Sequence, residues 1–331
     1  MKRPGIKELA KMLSLNPSTV SRALSDHPDI KPETRERVKA AASEFNYQPN
    51  LHARFFRKKS SGLIALVLPE WGMFFIPGLM DGINESLLQS GFSLIVFFSN
   101  NSLEREKEIV NHCLSWVVDG VLISLSENTH NVDHLSSFKS AGIPLVMLDR
   151  VIYSPDFSTV TIDDEQAAYL ATEHLILRDK KNILGIFGNP NLEISKQRAK
   201  GFKACLDFHK VSYSEYDMIY MDKITGDKNI EMKLRNTPYN SAFIMSDELL
   251  MTTYPILMKN RQFPGQVSIV SISDGKIPYQ LFPKITHIQH SGRDVGRAAA
   301  DLLVNNIKNN PVEEQNIQVS TTLIELDSVQ N

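Results

Sequence analysis

The sequence predicts a small all-α domain followed by a larger α/β region built from two similar lobes. The first observation is helical periodicity in three consecutive segments within the first 45 residues. The second is a series of short apolar strands that alternate with helix-length segments from Gly62 onward. Such alternation is typical of parallel sheets covered by helices on both faces. With 331 residues, the chain is long enough for two or three domains with separate cores.

The amino-terminal segment predicts two helices joined by a tight turn. Apolar residues in the first helix recur at the i, i+3, i+4, i+7 spacing of one helical face, across residues 6–13. Asn16 can cap the second helix, with Pro17 at its first position, where a missing N–H costs nothing. Pro32 then opens a third helix with the same apolar spacing, which closes a three-helix unit.

The second helix has two contrasting faces. One face is apolar and consists of Val20, Ala23 and Leu24. The other carries small polar side chains and an arginine, namely Ser18, Ser21, Arg22 and Ser25. Small side chains let a helix approach the major groove closely, and Arg can bridge guanine O6 and N7. The alternative is a pair of ordinary amphipathic helices, but the contrast between the faces and the tight turn favour a helix-turn-helix that binds DNA.

The charge distribution supports DNA binding by the amino-terminal part. Residues 1–60 contain 13 Lys and Arg against 6 Asp and Glu, whereas the remainder contains 23 against 32. A basic head on an acidic body is what a DNA-binding domain attached to a separate soluble domain requires. A solvated basic tail is the alternative, but it would lack the three helical periodicities.

Four short motifs carry a resemblance to a known family. They are TVSRAL at 19–24, ETRERV at 33–38, YQPN at 47–50 and AR at 53–54. Their order and spacing are those of the lactose/galactose repressor family of bacterial transcription factors, which the sequence resembles. Further matches include VDGVLI, AGIPLVMLDR, RAKGF and VSIVSISD. The resemblance implies a small all-α helix-turn-helix DNA-binding domain plus an α/β periplasmic-binding-protein-like core of two Rossmann-like lobes.

The resemblance also implies the domain organisation. We expect a helix-turn-helix domain at 1–47, a hinge helix and linker at 48–61, and an effector-binding and dimerisation core at 62–331. The core would divide into an N-lobe at about 62–161 and 290–321 and a C-lobe at about 162–289 and 322–331. The apolar runs expected as strands are 63–68, 92–98, 120–125, 143–148, 182–187, 217–221, 241–245 and 267–272.

Two regions are expected to contact DNA. In the second helix, Ser18 and Arg22 should read bases and Pro17 should lie near the groove edge, while Thr19, Ser21 and the Thr34 region should hold phosphates. In the hinge, the expected contacts are Asn50, Ala53, Arg54, Phe56 and Arg57. By position, Phe56 stands where the family carries a leucine that wedges between base steps in the minor groove, and apolar wedges can kink the duplex there. The role of Phe55 stays open.

Ligand recognition is where the sequence departs most from the family. The effector-binding positions that we expect are Phe74, Phe75, Asp149, Arg150, Arg198, Lys223, Ser246, Ser273 and Asp274. Phe74 or Phe75 can stack on a ring, with core packing an equal alternative. Ser273 stands where relatives carry an Asp that clamps sugar hydroxyls, and Lys223 falls roughly where many place an aromatic residue.

A lost carboxylate and a gained cation favour an anionic effector, since guanidinium binds carboxylate or phosphate bidentately. The sequence therefore predicts an acidic sugar or sugar phosphate rather than a neutral sugar. The alternative is that Lys223 points to solvent while Asp274 or Asp149 restores the charge balance.

Other chemistries find little support in the sequence. There is no G-x-G-x-x-G after a strand and no G-x-x-x-x-G-K-[ST], and no nucleophile–base pair can be nominated. Asp163, Asp164 and Glu165 open a helix, where the dipole favours acids over a metal site. Cys113 and Cys205 are expected in the core. We therefore expect no catalysis, no cofactor, no metal and no membrane segment, in a cytoplasmic protein.

These observations predict a ligand-responsive DNA-binding regulator, a repressor of a carbohydrate-utilisation operon. Its expected partners are a double-stranded, pseudo-palindromic DNA operator, a second copy of the chain in a homodimer, and a small-molecule effector (sugar, sugar acid or sugar phosphate). Two alternatives remain: a solute-binding protein without DNA function, and a regulator that acts as an activator.

Overall fold

The computed structural model describes residues 4–47, 60–221, 230–233, 239–259, 263, 265–309 and 314–329. The chain divides into two compact units, Met1–Gly62 and Leu63–Asn331. Within the described residues, no helix has the length and apolar character needed to cross a membrane.

The described residues of the first unit form three helices that pack as one domain. Its helices are α1 (Ile6–Met12), α2 (Pro17–Leu24) and α3 (Pro32–Glu44). Their apolar faces meet in one small core, which contains Leu9, Ala10, Val20, Ala23, Val38, Ala41 and Ala42. Asn16 is the N-cap of α2 and Pro17 occupies the first turn, as predicted, although the Asn16 side chain makes no capping hydrogen bond. The fold of the helix-turn-helix domain is therefore set by the apolar spacing and the Pro17 position.

The second unit contains helices α4 to α11 and strands β1 to β12. The helices are α4 (Ile76–Ser90), α5 (Leu103–Ser115), α6 (Ser136–Ser140), α7 (Asp164–Ile176), α8 (Glu193–Phe208), α9 (Asp247–Lys259), α10 (Ile277–Gln280) and α11 (Gly292–Asn309). The strands are β1 (Leu63–Leu68), β2 (Ser93–Phe98), β3 (Gly120–Ile123), β4 (Leu145–Leu148), β5 (Ser158–Ile162), β6 (Ile183–Phe187), β7 (Met218–Tyr220), β8 (Ser241–Ile244), β9 (Ser268–Ser273), β10 (Thr286–Gln289), β11 (Asn316–Val319) and β12 (Thr322–Ile324).

The strands form two six-stranded sheets, one in each lobe. The N-lobe sheet has the order β11-β5-β4-β3-β1-β2 and is parallel throughout. The C-lobe sheet has the order β12-β10-β9-β8-β6-β7, and only the edge strand β12 is antiparallel to its neighbour. The chain passes between the lobes after β5, after β10 and between β11 and β12. This architecture confirms the predicted fold class of two parallel-sheet α/β lobes.

A glycine in each lobe lets two helices pack against each other at close range. A Cβ on Gly82 of α4 would lie 2.0 Å from the Arg293 carbonyl oxygen of α11. A Cβ on Gly201 of α8 would lie 1.9 Å from the Glu165 carbonyl oxygen of α7. Neither position tolerates a side chain without a shift of the partner helix, so these glycines fix how the helices cover the sheets. Both cysteines, Cys113 and Cys205, are buried and free, as expected.

Candidate functional site

The exposed side of α2 carries most of the side chains predicted to reach DNA. Pro17, Ser18 and Arg22 are exposed and Thr19 is half-buried. Arg22 Nη1 lies 4.0 Å from Asp29 Oδ2, and both side chains are more than half exposed. An exposed pair of this kind contributes little stability, so the guanidinium stays available to another partner. The α2 surface therefore offers a small polar face and a free cation.

The expectation that Ser21 lies on this exposed face is wrong. Ser21 is only 8% exposed, and its neighbours Val20 and Ala23 are fully buried. Ser21 precedes Leu24 by three positions, and residues three apart share a helical face. Ser21 therefore lies at the border of the apolar stripe that packs on the rest of the domain.

The hinge predictions lie outside the described residues. They concern Asn50, Ala53, Arg54, Phe56 and Arg57, together with the open role of Phe55. Thr34, at the start of α3, is described and is half-buried.

A small cavity between the two lobes brings several predicted effector residues together. It measures about 20 Å³, and its walls include Phe75, Asp149, Thr161, Asp164, Arg198 and His290. A water molecule needs about 10–15 Å³ of such space, so the lobes as arranged enclose room for one water-sized group. Two hydrogen bonds also join the lobes: the Phe74 amide donates to Glu248 Oε1 at 3.0 Å, and the Asn189 amide donates to Glu127. The cleft is closed in this structure.

Arg198 is a buried residue of this cavity, and a carboxylate already pairs with it. Its Nε donates to Asp164 Oδ1 at 2.8 Å, and its Nη1 donates to the Met245 carbonyl oxygen. These bonds connect α8 to the start of α7 and to the end of β8. Arg198 thus fixes the C-lobe side of the cleft.

Asp149 lies on the opposite wall, at the end of β4, with a left-handed backbone conformation (φ 59°). The Ser124 hydroxyl donates to its Oδ2 at 3.2 Å. Burial raises the pKa of Asp149 to about 6, against the opposing effects of Arg150 and Arg198. The carboxylate is therefore held in a poorly solvated position beside the cavity.

The next residue, Arg150, points along the N-lobe edge of the cleft. Its Nη1 donates to Asn101 Oδ1 at 2.9 Å, and its Nη2 lies 3.6 Å from Glu70 Oε1. Asn101 Oδ1 also accepts from the Glu127 amide, in the loop that reaches the C-lobe. Arg150 consequently holds Asn101 and, through it, the Glu127 loop at the rim of the cleft.

The remaining predicted positions are mostly engaged locally. Ser273 is fully buried and its hydroxyl accepts from the Gly275 amide at 3.0 Å, while Ser246 accepts from the Leu249 amide at 3.4 Å. The Asp274 amide donates to Asp247 Oδ2 at 3.1 Å, and burial raises the pKa of Asp247 to about 7. Phe75 belongs to the core and its ring centroid is 6.1 Å from that of His290, whereas Phe74 is partly exposed. Lys223 is outside the described residues.

These contacts remove the basis of the predicted preference for an anion. That prediction assumed converging arginines without a nearby carboxylate. Arg198 pairs with Asp164, Arg150 faces Glu70, and Asp149 is buried beside the same cavity. The assumption is wrong, because Asp164, at the start of α7, places its carboxylate in the cleft beside Arg198. From the sequence, the acidic residues 163–165 were explained by the helix dipole alone.

Sequence reasoning missed three polar residues of the cavity, namely Asp164, His290 and Thr161. Asp163 caps α7 and accepts a hydrogen bond from the Gln166 amide at 2.9 Å. The Asp164 carboxylate instead accepts a hydrogen bond from Arg198. His290 directly follows β10, at the boundary between the expected C-lobe and N-lobe segments. Thr161 is the last residue but one of β5, at the other such boundary. The sequence position of Thr161 and His290, where the chain passes from one lobe to the other, was the signal that could have placed them in the cleft. No group of three or more metal-ligating side chains occurs in the part of the chain that the structure describes.

An exposed apolar patch, here called the α9 patch, lies elsewhere on the C-lobe. It comprises Met251, Met258, Tyr279 and Phe282, which are 39%, 39%, 48% and 82% exposed. Met251 and Met258 are seven residues apart on α9, and Tyr254 between them donates its hydroxyl to the Phe282 carbonyl oxygen at 2.7 Å. Exposed apolar clusters of this kind mark interaction surfaces.

Comparison with known proteins yields two family matches that together span most of the chain. Residues 61–326 match the description "Periplasmic binding proteins and sugar binding domain of LacI family". Residues 5–50 match "Bacterial regulatory proteins, lacI family".

Individual relatives match over nearly the full length. The NTD biosynthesis operon regulator NtdR of Bacillus subtilis (strain 168) is 28% identical, covering 97% of this chain and 98% of the relative. The ribose operon repressor of the same organism is 27% identical, with 96% of each chain covered. The crystal structure of the Lac repressor dimer bound to operator and the anti-inducer ONPF superposes with a TM-score of 0.88 at 19% identity, over the whole of both chains.

Proposed function

The chain belongs to the LacI family of bacterial regulatory proteins, and we propose that it represses a carbohydrate-utilisation operon under the control of a small-molecule effector. As a member of this family it is a DNA-binding transcriptional regulator. The observation that carries the proposal is the presence, on one chain, of a helix-turn-helix with an exposed polar face and a two-lobed cleft that encloses polar residues.

For DNA recognition, Ser18 and Arg22 read base edges, and Thr19 with the Thr34 region holds phosphates. The exposure of Ser18 and Arg22 supports their role, and Thr19 and Thr34 are half-buried but still reach the surface. The burial of Ser21 leaves it a minor role. Arg22 is the strongest candidate for specificity because guanidinium reads guanine bidentately. We also propose that Phe56 inserts into the minor groove and bends the site, with Asn50, Ala53, Arg54 and Arg57 beside it.

A homodimer is the proposed DNA-binding form. One recognition helix reads too few base pairs to find a genomic site among a vast excess of competitors, whereas two related by a two-fold axis read a pseudo-palindrome. The α9 patch supports the proposal, because in an isologous interface the same exposed apolar surface of two copies is buried together.

For the effector, we propose a sugar-like molecule bound in the cleft between the lobes. The ribose operon repressor of Bacillus subtilis, a relative by sequence, indicates the class of system. Because the closed cavity holds only one water-sized group, binding requires the lobes to separate and close again. Ligand-dependent lobe movement then alters DNA binding through the hinges.

A regulatory role also implies a cytoplasmic protein without catalytic activity. The two alternatives make different predictions. A solute-binding protein would enrich no DNA sequence, and an activator would bind its site but raise transcription from the adjacent promoter.

The test is selection of DNA by the full chain from a random duplex library. We expect enrichment of one sequence family, and loss of that enrichment for Arg22→Ala. A chain that enriches no sequence would contradict the proposal. A reporter placed behind the enriched site then gives the sign of regulation, and a rise in expression would favour the activator.

A further inference from the structure

The charges around the cleft do not balance. Each arginine already faces a carboxylate: Arg198 Nε lies 2.8 Å from Asp164 Oδ1, and Arg150 Nη2 lies 3.6 Å from Glu70 Oε1. Asp149 has no cation within 4.0 Å among the residues that the structure describes. Among the described residues, the cleft therefore holds more carboxylates than its two arginines neutralise.

The position of Asp149 makes this surplus costly. Its carboxyl group borders the cavity, and the bond from the Ser124 hydroxyl at 3.2 Å is the one hydrogen bond that its side chain accepts from described residues. Burial raises its pKa to about 6, so the group is mostly ionised at neutral pH but poorly solvated. A buried carboxylate that forms no ion pair with a described residue is unfavourable, and a bound cation would reduce that cost.

Among the described residues, the other side chains that line the cavity add no positive charge. Burial and the nearby Arg198 lower the pKa of His290 to about 3, so its ring is neutral and can exchange hydrogen bonds with hydroxyl groups. Phe75 presents its ring beside His290. At the rim, Glu127 and Glu248 contribute two further carboxylates. A sugar acid or sugar phosphate would thus meet carboxylates on several sides.

We infer that the effector is a polyhydroxylated amine, an amino sugar in its ammonium form, whose ammonium group binds the Asp149 carboxylate. The inference rests on the effector function proposed above and specifies its chemical class. The closed cavity of about 20 Å³ beside Asp149 matches one water-sized group, which is the size of an ammonium group. An ammonium supplies three donors and forms charge-assisted hydrogen bonds with a carboxylate. Thr161, His290 and Arg198 line the same cavity and can exchange hydrogen bonds with hydroxyls of the ligand.

The first test compares ligands that differ only in charge, with the unmodified full chain. Calorimetry near pH 7 would use glucosamine, galactosamine and mannosamine, each against its neutral parent sugar and its N-acetyl derivative, with glucuronate and galacturonate as anions. We expect one amine to bind roughly tenfold more tightly than its N-acetyl derivative, because charge-assisted hydrogen bonds are about twice as strong as neutral ones. A neutral or acidic probe that binds as tightly as its amine would overturn the inference, as would failure of all three amines to bind.

The second test removes the carboxylate. Asp149→Asn should abolish the preference for the amine over the N-acetyl derivative, whereas Asp327→Asn, an exposed carboxylate that does not line the cavity, should retain it. Persistence of the preference in Asp149→Asn would assign the amine to another group and overturn the inference. The comparison within the unmodified chain remains decisive if the variant fails to fold. Selection of DNA by the same protein without sugar reports separately on the proposed regulatory function.

Discussion

At the scale of single residues, the properties of α2 follow from which side chains its packing leaves in solvent. Val20 and Ala23 are fully buried, and Ser21 beside them is buried as well. Ser18 and Arg22 remain exposed. The sequence predicted the exposed positions correctly but misplaced Ser21, because a small polar residue gives no signal at the border of an apolar stripe. We therefore propose that DNA recognition by α2 depends mainly on Ser18 and Arg22.

The first prediction concerns Arg22. Arg22→Ala should weaken binding to the selected site by about 1–3 kcal/mol and relax the preference at one base pair, since one bidentate contact to guanine is lost. Fluorescence anisotropy with the site and its single-base variants measures both effects. Lys11→Ala, on α1, is the matched control and should leave base preference unchanged. A uniform loss across all variants for Arg22→Ala would instead assign Arg22 to a phosphate.

The second prediction concerns the buried carboxyl of Asp149. Its pKa is raised to about 6 from an ordinary value of 3.8, so the folded state binds the proton more tightly than the unfolded chain. The stability that this tighter proton binding provides is fully present below pH 3.8 and is lost as the pH rises through the folded-state pKa of about 6. Asp149→Asn removes this dependence.

The free energy of unfolding, measured with urea, should therefore fall more steeply with pH in the unmodified protein than in Asp149→Asn. Between about pH 4 and pH 7.5 the difference should amount to on the order of 1–3 kcal/mol. Asp327→Asn should follow the unmodified protein. Parallel curves for the unmodified chain and Asp149→Asn would show that the carboxyl is well solvated.

At the scale of elements, buried parallel strands were the most predictable feature. Strands such as β1 and β9 are continuous runs of buried residues, and all eight strands expected from apolar runs are present. The strands β5 and β10 escaped this criterion because they carry Ser, Thr, His or Gln beside their apolar residues. One of these polar residues, Thr161, lines the cavity, so a strand that contributes to the cleft had a weak strand signal.

The effector cleft was predictable only in part for a related reason. Asp149 and Arg198 could be placed from the resemblance, and both line the cavity. The ion pair between Asp164 and Arg198 joins residues 34 positions apart, and it depends on the packing of α7 on α8 around Gly201. No local pattern encodes such a contact, and the assumption of arginines without a nearby carboxylate was wrong for that reason.

The third prediction belongs to α9 and the segment after α10. Phe282→Ser should weaken self-association, since an 82% exposed phenylalanine would otherwise be buried in the proposed interface. Sedimentation velocity over a range of concentrations measures the dimer dissociation constant. Phe208→Ser is the matched control, because Phe208 is 72% exposed at the end of α8, outside the α9 patch. Equal effects of the two substitutions, or a dimer disrupted only by Phe208→Ser, would place the interface elsewhere.

At the scale of the whole molecule, function depends on coupling between an effector cleft and DNA contacts. Two hydrogen bonds between described residues join the lobes across the cleft, and the cavity between them is too small for a sugar ring. The lobes must therefore move apart before a ligand can enter. A short hinge helix is marginal in water on its own, and we propose that it folds when two copies meet on DNA. The coupling is then a difference in effector affinity between two arrangements, typically about 1–3 kcal/mol.

A two-fold related pair of recognition helices on DNA is the central claim of this account, and footprinting of the full chain on its selected site tests it most directly. We predict protection of two half-sites related by a pseudo-two-fold axis, with their centres about one helical turn, or a multiple of it, apart. Substitution of either half-site should weaken binding to a similar degree. Protection of a single asymmetric half-site, unaffected by changes in the neighbouring sequence, would contradict the account.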